Sequence, residues 1–191
     1  LRNKGIVPLL DAIIDYLPSP LDVPPVVGVH PHTGKPEERP PTSKAPLAML
    51  AFKVSSMDDG RRMTFVRIYS GVLNANDEVF NPRLNKKEKI SRIFAMHSSH
   101  RERITRIDAG NIVGVLGLKQ SVTGDTLTAP SHPILLESIM SYEPVIVQAV
   151  EPETSRDKDR LDEALRRFMD EDPTFRVTED KDTGQTLIAG M

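Results

Sequence analysis

The chain has 191 residues, of which 38% are hydrophobic and 27% are charged, and its formal net charge is −2. These values suit one or two globular domains with a sizeable core, and they exclude disorder as a description of the whole chain. The absence of cysteine excludes disulfides and thiolate metal sites, and the longest apolar stretches, such as Ile112 to Leu118, are too short to span a bilayer.

The first predicted element is a helix over Pro8 to Leu17. A proline is tolerated in the first helical turn, and Leu9, Leu10, Ile13, Ile14 and Leu17 follow helical spacing on one stripe. Because this stripe has no partner nearby, we expect residues 1–27 to be the last helix and tail of a domain whose remainder lies elsewhere. Residues 28–46 are rich in proline and lack apolar periodicity, which predicts a linker or an extended surface loop.

Residues 47–140 are predicted to form an antiparallel β-barrel. Short strands are predicted at Leu47 to Val54, Met63 to Tyr69, Glu78 to Phe80, Lys89 to Phe94 and Ile112 to Leu116. Glycine-rich turns separate them and no helical pattern intervenes, which is typical of a closed barrel.

Residues 141–191 change to a mixed pattern. A strand over Val145 to Val150 precedes a helix with Ser155 as its predicted N-cap, and a hairpin of two strands follows, Phe175 to Val177 and Thr186 to Ala189. Strand, helix and hairpin predict the first part of a split β-α-β (ferredoxin-like) α+β domain, and we expect the chain to hold only that part. The fold class predicted for the whole chain is mainly β.

Several motifs resemble bacterial elongation factor G, a family of translational GTPases. The N-terminal motifs are Asn3-Lys4-Gly5, Pro8-Leu9-Leu10-Asp11-Ala12 and Tyr16-Leu17-Pro18-Ser19-Pro20. The barrel motifs are Leu50-Ala51-Phe52-Lys53, Arg67-Ile68-Tyr69-Ser70-Gly71, Ala109-Gly110-Asn111-Ile112, Gly117-Leu118-Lys119 and Thr123-Gly124-Asp125-Thr126-Leu127. The C-terminal motifs are Glu143-Pro144-Val145, Pro152, Glu171-Asp172-Pro173-Thr174-Phe175-Arg176-Val177 and Thr183 through Met191.

The resemblance implies a fragment with the end of a GTPase domain, domain two and the first half of domain three. In that family, GTP with Mg²⁺ drives movement of tRNA and mRNA through the ribosome. The barrel would dock on small-subunit ribosomal RNA, domain three would contact a ribosomal protein, and the tRNA–mRNA complex would be an indirect partner. The location would be cytoplasmic, with no membrane partner. A paralogous recycling factor and a free-standing RNA-binding barrel are the alternatives.

The chain itself lacks the motifs of nucleotide hydrolysis. No G-x-x-x-x-G-K-[ST] run is present, and Asn85-Lys86-Lys87-Glu88 has glutamate where guanine recognition requires aspartate. We therefore expect no cofactor, catalytic residue or metal in this fragment. The three acids Asp170 to Asp172 are interpreted as a solvated helix end rather than a cation cage.

The charge is distributed unevenly along the chain. Residues 61–106 contain eleven Lys or Arg and four Asp or Glu, a balance of +7, whereas residues 151–182 contain seven and twelve, a balance of −5. A basic barrel suits contact with phosphates, and the alternative is an ordinary solvated face. From the resemblance we take Arg83, Lys86, Lys87 and Arg92 as candidate contacts to ribosomal RNA, and Glu143 and Pro144 as a candidate interdomain joint.

Overall fold

The computed structural model describes residues 4–190 apart from residues 58, 99, 140–143, 153 and 182. Neither α-helix of this part of the chain has the length and apolar character needed to cross a membrane.

Two α-helices and sixteen strands follow one another along the described residues. They are α1 (Ile6–Tyr16), β1 (Val26–Val29), β2 (Pro36–Arg39), β3 (Ala48–Ser56), β4 (Arg62–Ser70), β5 (Val72–Asn74), β6 (Glu78–Asn81), β7 (Lys86–Lys89), β8 (Arg92–His97), β9 (His100–Ile104), β10 (Arg106–Asp108), β11 (Ile112–Leu116), β12 (Thr126–Thr128), β13 (Leu135–Leu136), β14 (Ile146–Val150), α2 (Lys158–Glu171), β15 (Arg176–Glu179) and β16 (Thr186–Gly190).

An antiparallel β-barrel forms the centre of the chain, as predicted. Eight of its strands pair in the order β7-β6-β12-β3-β4-β11-β8-β9, and β5 pairs with β10. Two further backbone hydrogen bonds help to close the barrel: the Asn76 N–H donates to the Ile90 carbonyl at 2.7 Å, and the Ile90 N–H donates to the Asp77 carbonyl at 2.9 Å. Closure leaves few backbone groups unpaired at a sheet edge.

Alternating side chains explain why the central strands form. Along β4, Val66 and Ile68 are fully buried while Arg67 between them is exposed. The same inward positions on neighbouring strands supply a core that includes Met49, Val113 and Leu127. Burying each such side chain contributes about 1.5–3 kcal/mol, so this core holds the barrel together.

One predicted strand is wrong in its extent. Lys89 to Phe94 is interrupted at Ile90 and Ser91, which separate β7 from β8. Ile90 is fully buried in the barrel core, and its backbone bonds residues 76 and 77 rather than continuing the ladder. The break places the basic residues of β7 and Arg92 of β8 on different strands.

The prediction of a linker or surface loop over residues 28–46 is also wrong in part. β1 and β2 form a hairpin, and β1 pairs on its other side with β13, which gives a three-stranded sheet. This sheet forms by backbone pairing and has no apolar pattern from which it could be predicted. Pro36 occupies the first position of the edge strand β2, where its missing N–H is tolerated.

The N-terminal helix α1 begins at Ile6, two residues before the predicted start, and ends at Tyr16. Its apolar stripe is exposed: Leu9 is 59% and Ile14 is 77% accessible.

The C-terminal unit has the predicted order of strand, helix and hairpin. β16 lies between β14 and β15 in one antiparallel sheet. Leu165 of α2 is buried, and the rings of Phe168 and Phe175 lie 5.6 Å apart, which joins α2 to the start of β15. The predicted N-cap is wrong, because Ser155 begins a 3-10 turn that ends at Asp157, and α2 starts after it.

Candidate nucleic-acid interface

An open groove of about 370 Å³ on the barrel surface collects four cationic side chains. It lies where β4 begins, β8 begins and β11 ends. Its lining residues are Arg61, Arg62, Ser91, Arg92, Leu116, Gly117, Leu118 and Lys119. We call it the basic groove. A cluster of cations suits the binding of phosphates, because contact with a phosphate requires positive charge and no recognition of the base.

A close crossing of backbones shapes the basic groove. The Ser91 N–H donates to the Leu116 carbonyl at 2.7 Å, which brings the start of β8 against the end of β11. At Gly117 the backbone φ is +114°, and a Cβ would lie 2.2 Å from the Lys89 carbonyl oxygen. Only glycine permits this approach.

The loop after β11 is fixed by side chains from two other strands. Glu88 of β7 accepts hydrogen bonds from the Lys119 N–H at 2.6 Å and the Gln120 N–H at 2.8 Å, and from the Ser121 hydroxyl. From the other side, Arg62 donates to the Lys119 carbonyl at 3.0 Å and to the Ser121 carbonyl. The backbone that carries the Lys119 side chain is therefore preorganised at the groove.

Arg83, the first predicted contact, is half exposed and pairs with a buried acid. Its Nε and Nη2 both donate to the carboxylate of Asp125, which is only 3% accessible. Asn81 Nδ2 donates to the same carboxylate at 2.9 Å, as does the Val122 N–H. Burial alone would raise the pKa of Asp125, but these hydrogen bonds and the Arg83 charge outweigh it and hold the pKa below its ordinary value.

The other three predicted contacts differ in their surroundings. Lys86 Nζ donates to Gln120 at 3.0 Å, and Lys87 Nζ lies 2.8 Å from a Glu78 carboxylate oxygen. Arg92 is exposed, lines the basic groove, and has no acidic partner among the described residues. The structure therefore brings Arg92 into the groove and leaves the other three on the β6–β7 hairpin and its turn. Contact of any of the four with RNA stays a prediction.

The candidate joint is covered only in part. Glu143 lies outside the described residues, and Pro144 stands two residues before β14 begins. Its role as a joint stays a prediction.

Lys119 lines the basic groove but is not among the contacts predicted from the sequence. The signal available was its place in Gly117-Leu118-Lys119, directly after a buried strand, but only the fold shows that this position shares a groove with Arg92. Arg61 and Arg62 belong to the basic stretch of the sequence, yet nothing in their spacing to residue 119 indicates that they line the same groove.

The described residues do not fit a guanine nucleotide or its Mg²⁺. The side chains of Asn85-Lys86-Lys87-Glu88 belong to the β6–β7 hairpin, where Glu88 is occupied by the loop after β11. No group of three or more His, Asp or Glu side chains suited to a metal ion occurs within the described ranges. No step of nucleotide chemistry is therefore assigned to these residues.

The interpretation of Asp170 to Asp172 as a solvated helix end is wrong in part, because the first two acids are only partly accessible and have partners outside the helix. Asp170 lies 3.2 Å from Arg62, and Glu171 accepts a hydrogen bond of 2.7 Å from the Ser56 N–H. Both acids at the end of α2 therefore contact the barrel, a tertiary partner that local sequence does not reveal.

Comparisons with known proteins agree with this architecture. The family model for elongation factor Tu domain 2 matches residues 61–128, and the model for elongation factor G, domain III, matches residues 142–191. A crystal structure of a protein from Thermus thermophilus superposes with a TM-score of 0.74, covering 97% of this chain and 26% of that one; at 23% identity it supports the fold alone.

A curated relative gives the most specific likeness. Elongation factor G 2 of Syntrophus aciditrophicus (strain SB) is 52% identical over 191 residues, which is 100% of this chain and 28% of the relative. The chain thus spans just over a quarter of that relative's length. Two family models in the expected order and an alignment that covers all 191 residues lead to one conclusion: along its whole length the chain is similar to a segment of elongation factor G.

Proposed function

We propose that this chain is a ribosome-docking segment of a cytoplasmic translocase, a protein that uses GTP and Mg²⁺ to move tRNA and mRNA through the ribosome. Within it, the barrel binds small-subunit ribosomal RNA through the basic groove, and the C-terminal unit faces a ribosomal protein. GTP hydrolysis belongs to parts of the whole protein other than the residues described above.

The observation that carries the proposal is the setting of Arg92. It is an exposed arginine in a groove with three other cations, and no acid among the described residues neutralises it. The loop beside Arg92 is held in place by Glu88 and Arg62. An arginine that served only solubility would not need such a fixed neighbour, whereas a binding site would. A preorganised cationic groove without an aromatic platform suits phosphates of a folded RNA rather than stacked bases.

The proposal is tested by binding of the chain to purified small ribosomal subunits at low salt. The double variant Arg92→Ala/Lys119→Ala should bind about tenfold more weakly, because two phosphate contacts are lost. The matched control is Lys35→Ala/Lys44→Ala, which removes two exposed lysines of the segment between α1 and β3. Equal weakening by both double variants would show that net charge, and not the groove, determines binding.

A further inference from the structure

Two consecutive carboxylates at the end of α2 hold this helix against the barrel. Glu171 accepts the Ser56 N–H at the end of β3, and Asp170 pairs with Arg62 at the start of β4. Ser56 and Arg62 are register partners, so the two contacts lie side by side. A carboxylate is unfavourable at a helix C-terminus, and these contacts offset that cost.

The same arginine is part of the basic groove. Arg62 lines the groove, and its two terminal nitrogens donate to the carbonyls of Lys119 and Ser121. Nη1 is the atom closest to Asp170, at 3.2 Å, and it is also the donor to Lys119. One guanidinium thus contacts both the groove wall and α2.

We propose that an RNA phosphate in the basic groove competes with Asp170 for Arg62, so that occupation of the groove loosens α2 from the barrel. The proposal rests on the proposed function of the groove. Arginine forms charge-assisted hydrogen bonds with phosphate as well as with carboxylate, and a phosphate in this groove also meets Arg92 and Lys119. Because coupling between two equilibria is reciprocal, release of α2 strengthens binding in the groove by the same factor.

The strength of the Arg62–Asp170 pair suits such a competition. The Arg62 side chain is 20% accessible and that of Asp170 is 48% accessible, and an ion pair that is open to solvent on its acidic side changes an equilibrium only by about two- to fivefold. The contact between Phe168 and Phe175 keeps α2 attached to its own sheet, so α2 separates from the barrel together with that unit.

The first test compares two variants with the same change of charge on the same helix. Asp170→Asn removes the competitor for Arg62, whereas Asp162→Asn removes an exposed acid that has no partner among the described residues. Affinity of the chain for small ribosomal subunits should rise about two- to fivefold for Asp170→Asn and less than about 1.5-fold for Asp162→Asn. Equal gains for both variants would overturn the proposal.

The second test measures the separation of α2 from the barrel directly. The chain has no cysteine, so fluorophores can be attached to cysteines introduced at two exposed positions, Ser131→Cys on the barrel and Arg166→Cys on α2. We expect longer distances between the labels when subunits bind the otherwise unchanged chain. The free Asp170→Asn variant should already show part of this lengthening.

The outcomes separate this proposal from the proposed function. Binding that depends on Arg92 and Lys119 but leaves the label distance unchanged overturns the competition and keeps the groove as the docking surface. Binding that ignores the groove residues overturns both.

Discussion

Two arginines of the barrel have different surroundings, one paired with a buried acid and one facing the basic groove. Arg83 directs two nitrogens to the buried carboxylate of Asp125, while Arg92 projects into the basic groove without an acidic partner among the described residues. Both are candidate RNA contacts on sequence, where each is a cation close to a turn. What separates them is the position of Asp125, which is 42 residues away from Arg83 along the chain.

The two arginines should therefore give opposite phenotypes when they are truncated. Arg83→Ala should lower the free energy of unfolding by about 1–2 kcal/mol, because Asp125 loses its charged partner while the exposed half of Arg83 contributes little. Arg92→Ala should leave unfolding unchanged within about 0.5 kcal/mol and weaken binding to small subunits. Urea unfolding and subunit binding of both variants check this, and a destabilised Arg92→Ala protein would contradict it.

Asp125 also makes the stability of the barrel depend on pH. Its folded pKa lies below the unfolded value of about 3.9, so its ionisation stabilises the fold above that pH. This contribution is lost as the pH falls through the folded pKa. The Asp125→Asn variant should thus be less stable than the unchanged chain at pH 7, and the difference should shrink below about pH 4. Urea midpoints measured from pH 7 to pH 3 test the prediction, and a constant difference would refute it.

Among the elements, strands with alternating or continuous apolar patterns could be predicted and strands without them could not. β11 was predicted with its observed bounds, and β4 to within one residue at each end. β9 consists mostly of charged residues, and β2 contains two acids and a proline. Neither strand has an apolar period that could predict it, because each forms only by pairing with a neighbouring strand. The break at Ile90 could not be predicted from local sequence, because it depends on backbone hydrogen bonds to residues 76 and 77 that form only when the barrel closes.

The candidate site shows the same division. Three of its four cations belong to the basic stretch of the sequence, but their grouping depends on the crossing at Gly117. The role of Asp170 depends on Arg62, an arginine far earlier in the chain. Composition therefore predicts a basic surface and the resemblance already names Arg92, but only the fold groups Arg92 with Lys119.

The crossing at Gly117 should tolerate no side chain. In Gly117→Ala the new Cβ would meet the Lys89 carbonyl, so we expect a loss of about 2–4 kcal/mol in unfolding free energy and weaker subunit binding. Gly60→Ala is the matched control, because Gly60 also has positive φ but nothing lies within 4 Å of the added Cβ; it should cost only about 1 kcal/mol. Similar losses in both variants would show that backbone strain, and not the crossing, dominates.

In the whole molecule, a barrel presents a cationic groove, and a second unit is tied to the wall of this groove through Arg62. Part of the charge asymmetry has a place in this arrangement: the basic stretch supplies Arg61, Arg62 and Arg92 to the groove, and the acidic stretch supplies Asp170 and Glu171. At this scale the function that we propose is docking, and the same proposal assigns nucleotide chemistry to other parts of the whole protein.

The most direct test of that claim is the salt dependence of binding to small ribosomal subunits. Affinity should fall linearly on logarithmic axes as salt rises, and the slope should become shallower by about two in Arg92→Ala/Lys119→Ala, because two phosphates are no longer neutralised. A flat response of the unchanged chain, or equal slopes for the chain and the double variant, would contradict docking through the basic groove.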